Sequence, residues 1–160
     1  MKPAELTAEL NHPGSQRLLR HPGPARLAYT GPDGFPRVIP IGFLWDRERV
    51  FVCTAPTAPK VKALIARPNV ALTIDTYEGA AKALLIRGTA QAEIVDGVAP
   101  EYIAASAKSM NGAELQAFEE SVRGLYQQMA RIAITPEWAR FYDFGAGRFP
   151  AFLDKLMTGG

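Results

Sequence analysis

Residues 83–95 (ALLIRGTAQAEIV) read as a single strand about twice the ordinary length of ~5–6 residues, with Gly88 in its middle. Glycine inside such a run marks a bulge or a close backbone approach. A sheet bent at that point closes on itself, and closure removes exposed edges. Other strand-like runs precede it. Residues 25–30 are short and apolar and end at the turn Gly31-Pro-Asp-Gly34. Residues 37–45 alternate and are rich in Val and Ile; the polar turn 46–49 then leads into 50–54, which predicts a hairpin. Residues 70–76, 131–135 and 138–144 complete the strand material.

Helical spacing occurs in fewer places. Residues 55–67 change period: Thr57 is expected to cap, Pro59 suits a first turn, and Val61, Leu64 and Ile65 form a stripe before Pro68. Residues 100–108 and 113–129 read as helices split at Asn111-Gly112. In the second, Leu115, Phe118, Val122, Leu125 and Met129 are the expected core face. Residues 149–157 suit a last short helix. Helices grouped after strands with few crossovers predict an antiparallel, mainly β, α+β domain of six strands with flanking helices. Residues 1–24 are expected to be an N-terminal arm, with a short helix at 5–10 and two His-Pro-Gly turns, and residues 25–160 a single domain.

At 160 residues, 48% hydrophobic and 21% charged, the chain suits one globular domain. No run approaches the ~20 apolar residues of a membrane span, and the start lacks a secretory h-region. A cytoplasmic protein with no membrane partner is expected. With Cys53 the only cysteine, an internal disulfide is impossible and no metal site is expected. The net charge of +2 is unevenly placed. Residues 37–67 carry six bases against two acids, and residues 68–120 eight acids against three bases. The basic stretch reads as an anion site or as a solvated face.

Several chemistries are excluded. There is no P-loop, Gly145-Ala-Gly147 follows no βαβ unit, and both histidines lie before residue 25, far from any triad pattern. Cys53 sits in an apolar strand and reads as core. No side chain stands out as catalytic, so in an enzyme a cofactor would carry the chemistry. The informative segment is Thr54-Ala-Pro-Thr-Ala-Pro-Lys60-Val-Lys62. A strand ends in a hydroxyl residue, and a helix begins with two lysines in its first turns. Lysines there oppose the helix dipole unless an anion compensates them, which points to a phosphate; exposed lysines on a surface helix are the alternative. Spaced i, i+2, they do not share a helix face.

Thr54, Lys60 and the run KVKALIARPNVAL resemble the pyridoxamine 5′-phosphate oxidase-like family of FMN-binding split barrels. So do Gly34-Phe-Pro36, the strand that follows it, the strand VFVCT and the run ALLIRGTAQAEI. The resemblance covers residues 25–97 well and the rest loosely. It implies a six-stranded antiparallel split β-barrel that dimerises, with a flavin in each of two clefts between subunits. By the same resemblance, strand residues Arg37, Val38 and Ile39 lie along the ring, with Arg37 reaching the phosphate or ring edge. Thr54, Lys60 and Lys62 hold the phosphate, Lys82 contacts the ring from the partner subunit, and Trp138 covers it. Arg140 is a second late candidate.

The chain departs from the family pattern at Pro59, where a basic residue is frequent, and at Lys82, near a frequent glutamine. No histidine follows His21, which argues against oxidation of the vitamin phosphate itself. The expectation is a homodimeric, FMN-dependent oxidoreductase exchanging hydride with a small organic substrate. Alternatives are a deazaflavin-dependent reductase and a non-catalytic flavin or haem carrier, the latter without an obvious histidine ligand in the folded part. Nucleic-acid binding is not expected, because aromatic and basic residues do not interleave on the strands.

Overall fold

The computed structural model describes residues 1–157. Two helices, α1 (Pro3–Asn11) and α2 (Pro13–Arg20), lead into β1 (Ala25–Thr30), β2 (Pro36–Ile41), β3 (Leu44–Trp45) and β4 (Val50–Thr54). Helix α3 (Pro59–Ala66), β5 (Asn69–Thr76) and β6 (Lys82–Asp96) follow. Then come α4 (Pro100–Ser106), α5 (Gly112–Leu125), β7 (Gln128–Asp143) and α6 (Ala151–Met157).

The seven strands form one antiparallel sheet in the order β2-β1-β5-β6-β7-β4-β3. Its outermost strands, β2 and β3, are separated in the chain only by Gly42 and Phe43. Three Cα steps reach at most about 11 Å, whereas six flat inter-strand gaps span about 29 Å. The sheet therefore curls until its outer strands lie near each other without pairing, a barrel left split between β2 and β3. The seventh strand arises because the 37–45 run breaks at this link, where Phe43 is fully buried.

Gly88 is where the longest ladder bends. Arg87 pairs with Trp138 but Gly88 pairs with Pro136, so Glu137 is the extra residue of a bulge. A Cβ at Gly88 would stand 2.1 Å from the Thr135 carbonyl oxygen. Pro136, which has no amide to donate, is tolerated at this irregularity. Residues 131–135 and 138–144 thus belong to one continuous strand.

Inside the barrel Leu27, Leu72, Ile74, Leu84, Ile86, Ile132 and Ile134 form the core with alternating register. Leu10, Leu18 and Leu19 join the same cluster, so residues 1–24 fold as two helices packed on the barrel. Glu9 anchors them: it accepts from the Phe141 amide at 2.8 Å and pairs with Arg140 and Arg148. The His-Pro-Gly turns carry a shared device. His12 Nδ1 accepts from the Gly14 amide at 3.1 Å, and His21 Nδ1 from the Gly23 amide at 3.0 Å. Gly14 faces the Phe141 ring, 2.2 Å from where a Cβ would lie. The first turn therefore starts a helix instead of ending one.

Two helical expectations change. Ala58, not Thr57, occupies the N-cap of α3, and no side chain caps it, because the prolines delay the helix to Pro59. The α5 face is narrower than its spacing implied. Val122 is buried, Phe118 and Leu115 are half-buried, and Leu125 is 69% exposed. Met129 is buried, but on β7, since the helix ends at Leu125. Helices α4 and α5 cover the outer side of β4 and β7 through a second cluster that includes Cys53, Ala99, Val122 and Met129. No described helix is long and apolar enough to cross a membrane.

Candidate cofactor site

Where β4 ends, Thr54 turns its hydroxyl toward the first turn of α3. Lys60 Nζ donates to Thr54 Oγ1 at 3.4 Å and makes no ion pair among the described residues. Partial burial lowers the Lys60 ammonium below its ordinary value, because desolvation disfavours the charged form. No side chain caps the α3 start; Pro59 has no amide and the Val61 amide donates to the Ala58 carbonyl at 2.9 Å, which leaves the Lys60 amide as the donor open to an anion.

Thr54 and Lys60 open on a cavity of about 370 Å³. Ile39 and Gly42, at the far end of β2, line another side. β2 pairs with β1 alone, so its other edge keeps free backbone donors and acceptors. A Cβ built on Gly42 meets nothing within 4 Å. Cys53 shares the wall; burial, then the charge of Glu101, push its thiol up to about 12, so it is a protonated, inert group. The opposite wall is the α4 segment, including Glu101, Tyr102 and Ser109. This donor set, one ammonium, one hydroxyl and the Lys60 amide beside an open strand edge, is chemically suited to an anionic group.

The expected site residues fall into four groups. Ile39, Thr54 and Lys60 line the one cavity. Arg37 is tied to the β1–β2 turn: it donates to Asp33 Oδ2 at 2.7 Å and to the Phe35 carbonyl at 3.2 Å. That bond holds the Asp33 carboxyl below its ordinary range and the guanidinium above its own. Lys62 points to the other side of α3, into a cavity of about 660 Å³ that it shares with Arg67, Thr30 and Thr57. Val38 is 65% exposed on the outer face of the sheet. Lys82 starts β6 opposite Asp143, and Trp138 stacks under Arg87 on the outer face of β7, with the guanidinium carbon 4.2 Å from the ring centre. Within a single chain Val38, Lys82 and Trp138 lie apart from the Thr54–Lys60 cavity. Sequence reasoning missed Pro22 and the α4 wall, since neither carries a local signal of a site; only tertiary packing brings them there.

A curled antiparallel sheet left open between its outer strands, with Thr54 and Lys60 beside that opening, is a split barrel. The family model for pyridoxamine 5′-phosphate oxidase matches residues 13–143, and the chain belongs to that family. Solved structures share the fold. An F420 reductase is similar with a TM-score of 0.61 and 22% identity, over 78% of this chain and 94% of that one. A putative pyridoxamine 5′-phosphate oxidase from Listeria innocua is similar with a TM-score of 0.54 and 20% identity, over 79% and 92%. HutZ, the haem storage protein from Vibrio cholerae, has a TM-score of 0.57 and 20% identity, over 82% and 93%. None of the curated proteins compared with the chain matches it.

Proposed function

We propose that the chain is a flavin-dependent oxidoreductase that works as a homodimer, binds FMN at the subunit boundary and exchanges hydride with a small organic substrate. The meeting of Lys60 and Thr54 at a cavity beside the unpaired edge of β2 carries this reading. When bound, the isoalloxazine supplies the hydride chemistry. The chain supplies the rest. Lys60 and Thr54 would donate to phosphate oxygens, with the Lys60 amide beside them. Ile39 to Gly42 offer backbone groups to the ring, while the α4 wall excludes water. Arg37 braces the turn before β2, and Lys82 and Trp138 serve the cofactor of a second copy.

FMN titration of the intact chain tests the reading, followed by bound-flavin fluorescence. Lys60→Ala should weaken binding by ~1.5–3 kcal/mol, the scale of a charge-assisted hydrogen bond. Equal affinity would place the anion elsewhere.

The Lys62–Arg67 cavity favours a second reading, a deazaflavin coenzyme whose anionic tail is longer than that of FMN. Its lining has two cations and no acid, and the F420 reductase shares this fold. Lys62→Ala should then weaken a deazaflavin coenzyme while leaving FMN unaffected.

A further inference from the structure

Helix α3 separates two cavities that share no lining residue. Lys60 serves one of them. On the other side Pro59, Lys62, Ala63 and Ala66 follow at i, i+3, i+4 and i+7, a single helix face, and line a cavity of about 660 Å³. Its floor is apolar and stiff. The two alanines keep the α3 wall low, and Pro32 and Pro56 line it from the flanking loops with backbone torsions already fixed by their rings. Two cations border this floor. Lys62 is exposed and makes no hydrogen bond or ion pair among the described residues. Arg67, also exposed, is held in place: its Nη1 donates to the Gly31 carbonyl at 2.6 Å. Gly31 stands between Thr30 and Pro32, which both line the cavity, so this bond fixes the guanidinium against the cavity wall. The acid of the same turn, Asp33, is already bound to Arg37 at 2.7 Å, and no acidic side chain lines the cavity. Two like charges beside one apolar hollow repel each other, and an anion placed beside both relieves that repulsion.

We infer that this cavity is a second ligand site, built for an aromatic carboxylate. The ring system lies on the proline and alanine floor, and the carboxylate meets Arg67 and Lys62. A guanidinium already fixed in direction suits a planar carboxylate, and the volume falls within the ~300–1,000 Å³ of small-molecule sites. A coenzyme tail made only of anionic groups uses the cations and leaves the floor bare; an aryl anion uses both. The site stands apart from FMN, because Lys60 and Thr54 take no part in it.

The test is calorimetric titration of the full chain with naphthoate, its neutral isostere naphthamide, and acetate, with and without FMN. The parent chain should bind naphthoate about tenfold tighter than naphthamide, and acetate about a hundredfold more weakly than naphthoate. Equal affinity for the two naphthyl probes, or acetate binding as tightly as naphthoate, overturns the assignment. Lys62→Gln removes one charge at an exposed position and should bring naphthoate and naphthamide within about threefold; an unchanged preference overturns it. Ala66→Phe fills the floor from an exposed position without changing charge, and should cost naphthoate about tenfold or more. Parental naphthoate affinity in a folded Ala66→Phe chain overturns it as well, and should that variant fail to fold, Lys62→Gln decides. Saturating FMN should leave naphthoate affinity within about twofold, as for uncoupled sites. Displacement of naphthoate by FMN would put the probe in the Thr54–Lys60 cavity and overturn the second site. A chain that fails to bind FMN yet shows the Lys62-dependent preference loses the flavin reading and keeps this site, and the reverse result removes only this site.

Discussion

Lys108 Nζ lies 3.4 Å from the centre of the Phe43 ring, buried and without a hydrogen-bond partner. The ring face favours the cation and desolvation opposes it. Desolvation wins, and the ammonium is lowered to about 8. The unfolded chain holds this proton to about 10.5. Between these values the unfolded state binds more protons, so the Lys108 contribution to stability rises with pH through that window. Below pH 8 both states are charged and the burial cost is complete. Lys108→Met should therefore be more stable than the parent at pH 7, on the order of 1 kcal/mol once solvent screening of a half-buried group is allowed for. The gain should shrink as pH rises from about 8 to 10.5. Urea unfolding at pH 7 and at pH 10 measures both, and a pH-independent difference would contradict the desolvated ammonium.

The bulge at Gly88 makes a harsher demand. A methyl group there would press on backbone, the Thr135 carbonyl, and not on a side chain able to swing away. Gly88→Ala should cost roughly 2–4 kcal/mol, in the range of overpacking with a displaced strand. Thermal unfolding reads the loss. A neutral result would mean that β6 and β7 pair in another register.

His12 joins two helices and touches the core. Its Nδ1 caps α2, and its ring stacks on Phe141 with centroids 4.8 Å apart. His12→Ala should cost about 1–2 kcal/mol, a lost cap plus a lost ring contact. His12→Asn, which keeps a cap acceptor, should recover part of this in the same denaturation experiment. No recovery would assign the whole effect to stacking.

The barrel was legible because its signals are local: alternation along residues 37–45, short apolar runs at β1 and β4, a glycine where a long strand bends, and a helix stripe ended by Pro68. The pairing of Thr54 with Lys60 was legible for the same reason, since only five residues intervene. What escaped depends on long-range packing. The two His-Pro-Gly turns look like breaks until Gly14 is seen against Phe141 and His12 against Gly14. Leu125 has helical spacing but no neighbour to bury it, since α5 ends there. Glu101 gives no hint of lining the cavity in a helix that reads as ordinary, because only the packing of α4 beside β4 and β7 brings it there. Arg37 carries the right chemistry on the right strand, yet Asp33, four residues earlier, holds it first.

The outer face of β2, β1, β5 and β6 is where a second copy should sit. Ala28 pairs with Val38 on one side and with Ala71 on the other, and Asp75 pairs with Ala83. These small side chains leave a shallow depression of about 540 Å³, and Val38 and Tyr77 beside it are 65% and 79% exposed. A flat face of this kind lets two sheets approach closely, and burying Val38 and Tyr77 would add apolar area. Ala71→Arg puts a long cation at the centre of the face. It should change the chain's own stability by no more than ~0.5 kcal/mol, as for a surface substitution. Sedimentation should shift from dimer to monomer, and FMN binding should weaken with it, because half of each site would be gone. A variant that stays dimeric with parental FMN affinity would move the interface elsewhere. One that becomes monomeric yet binds FMN as before would confine the cofactor to residues of a single chain.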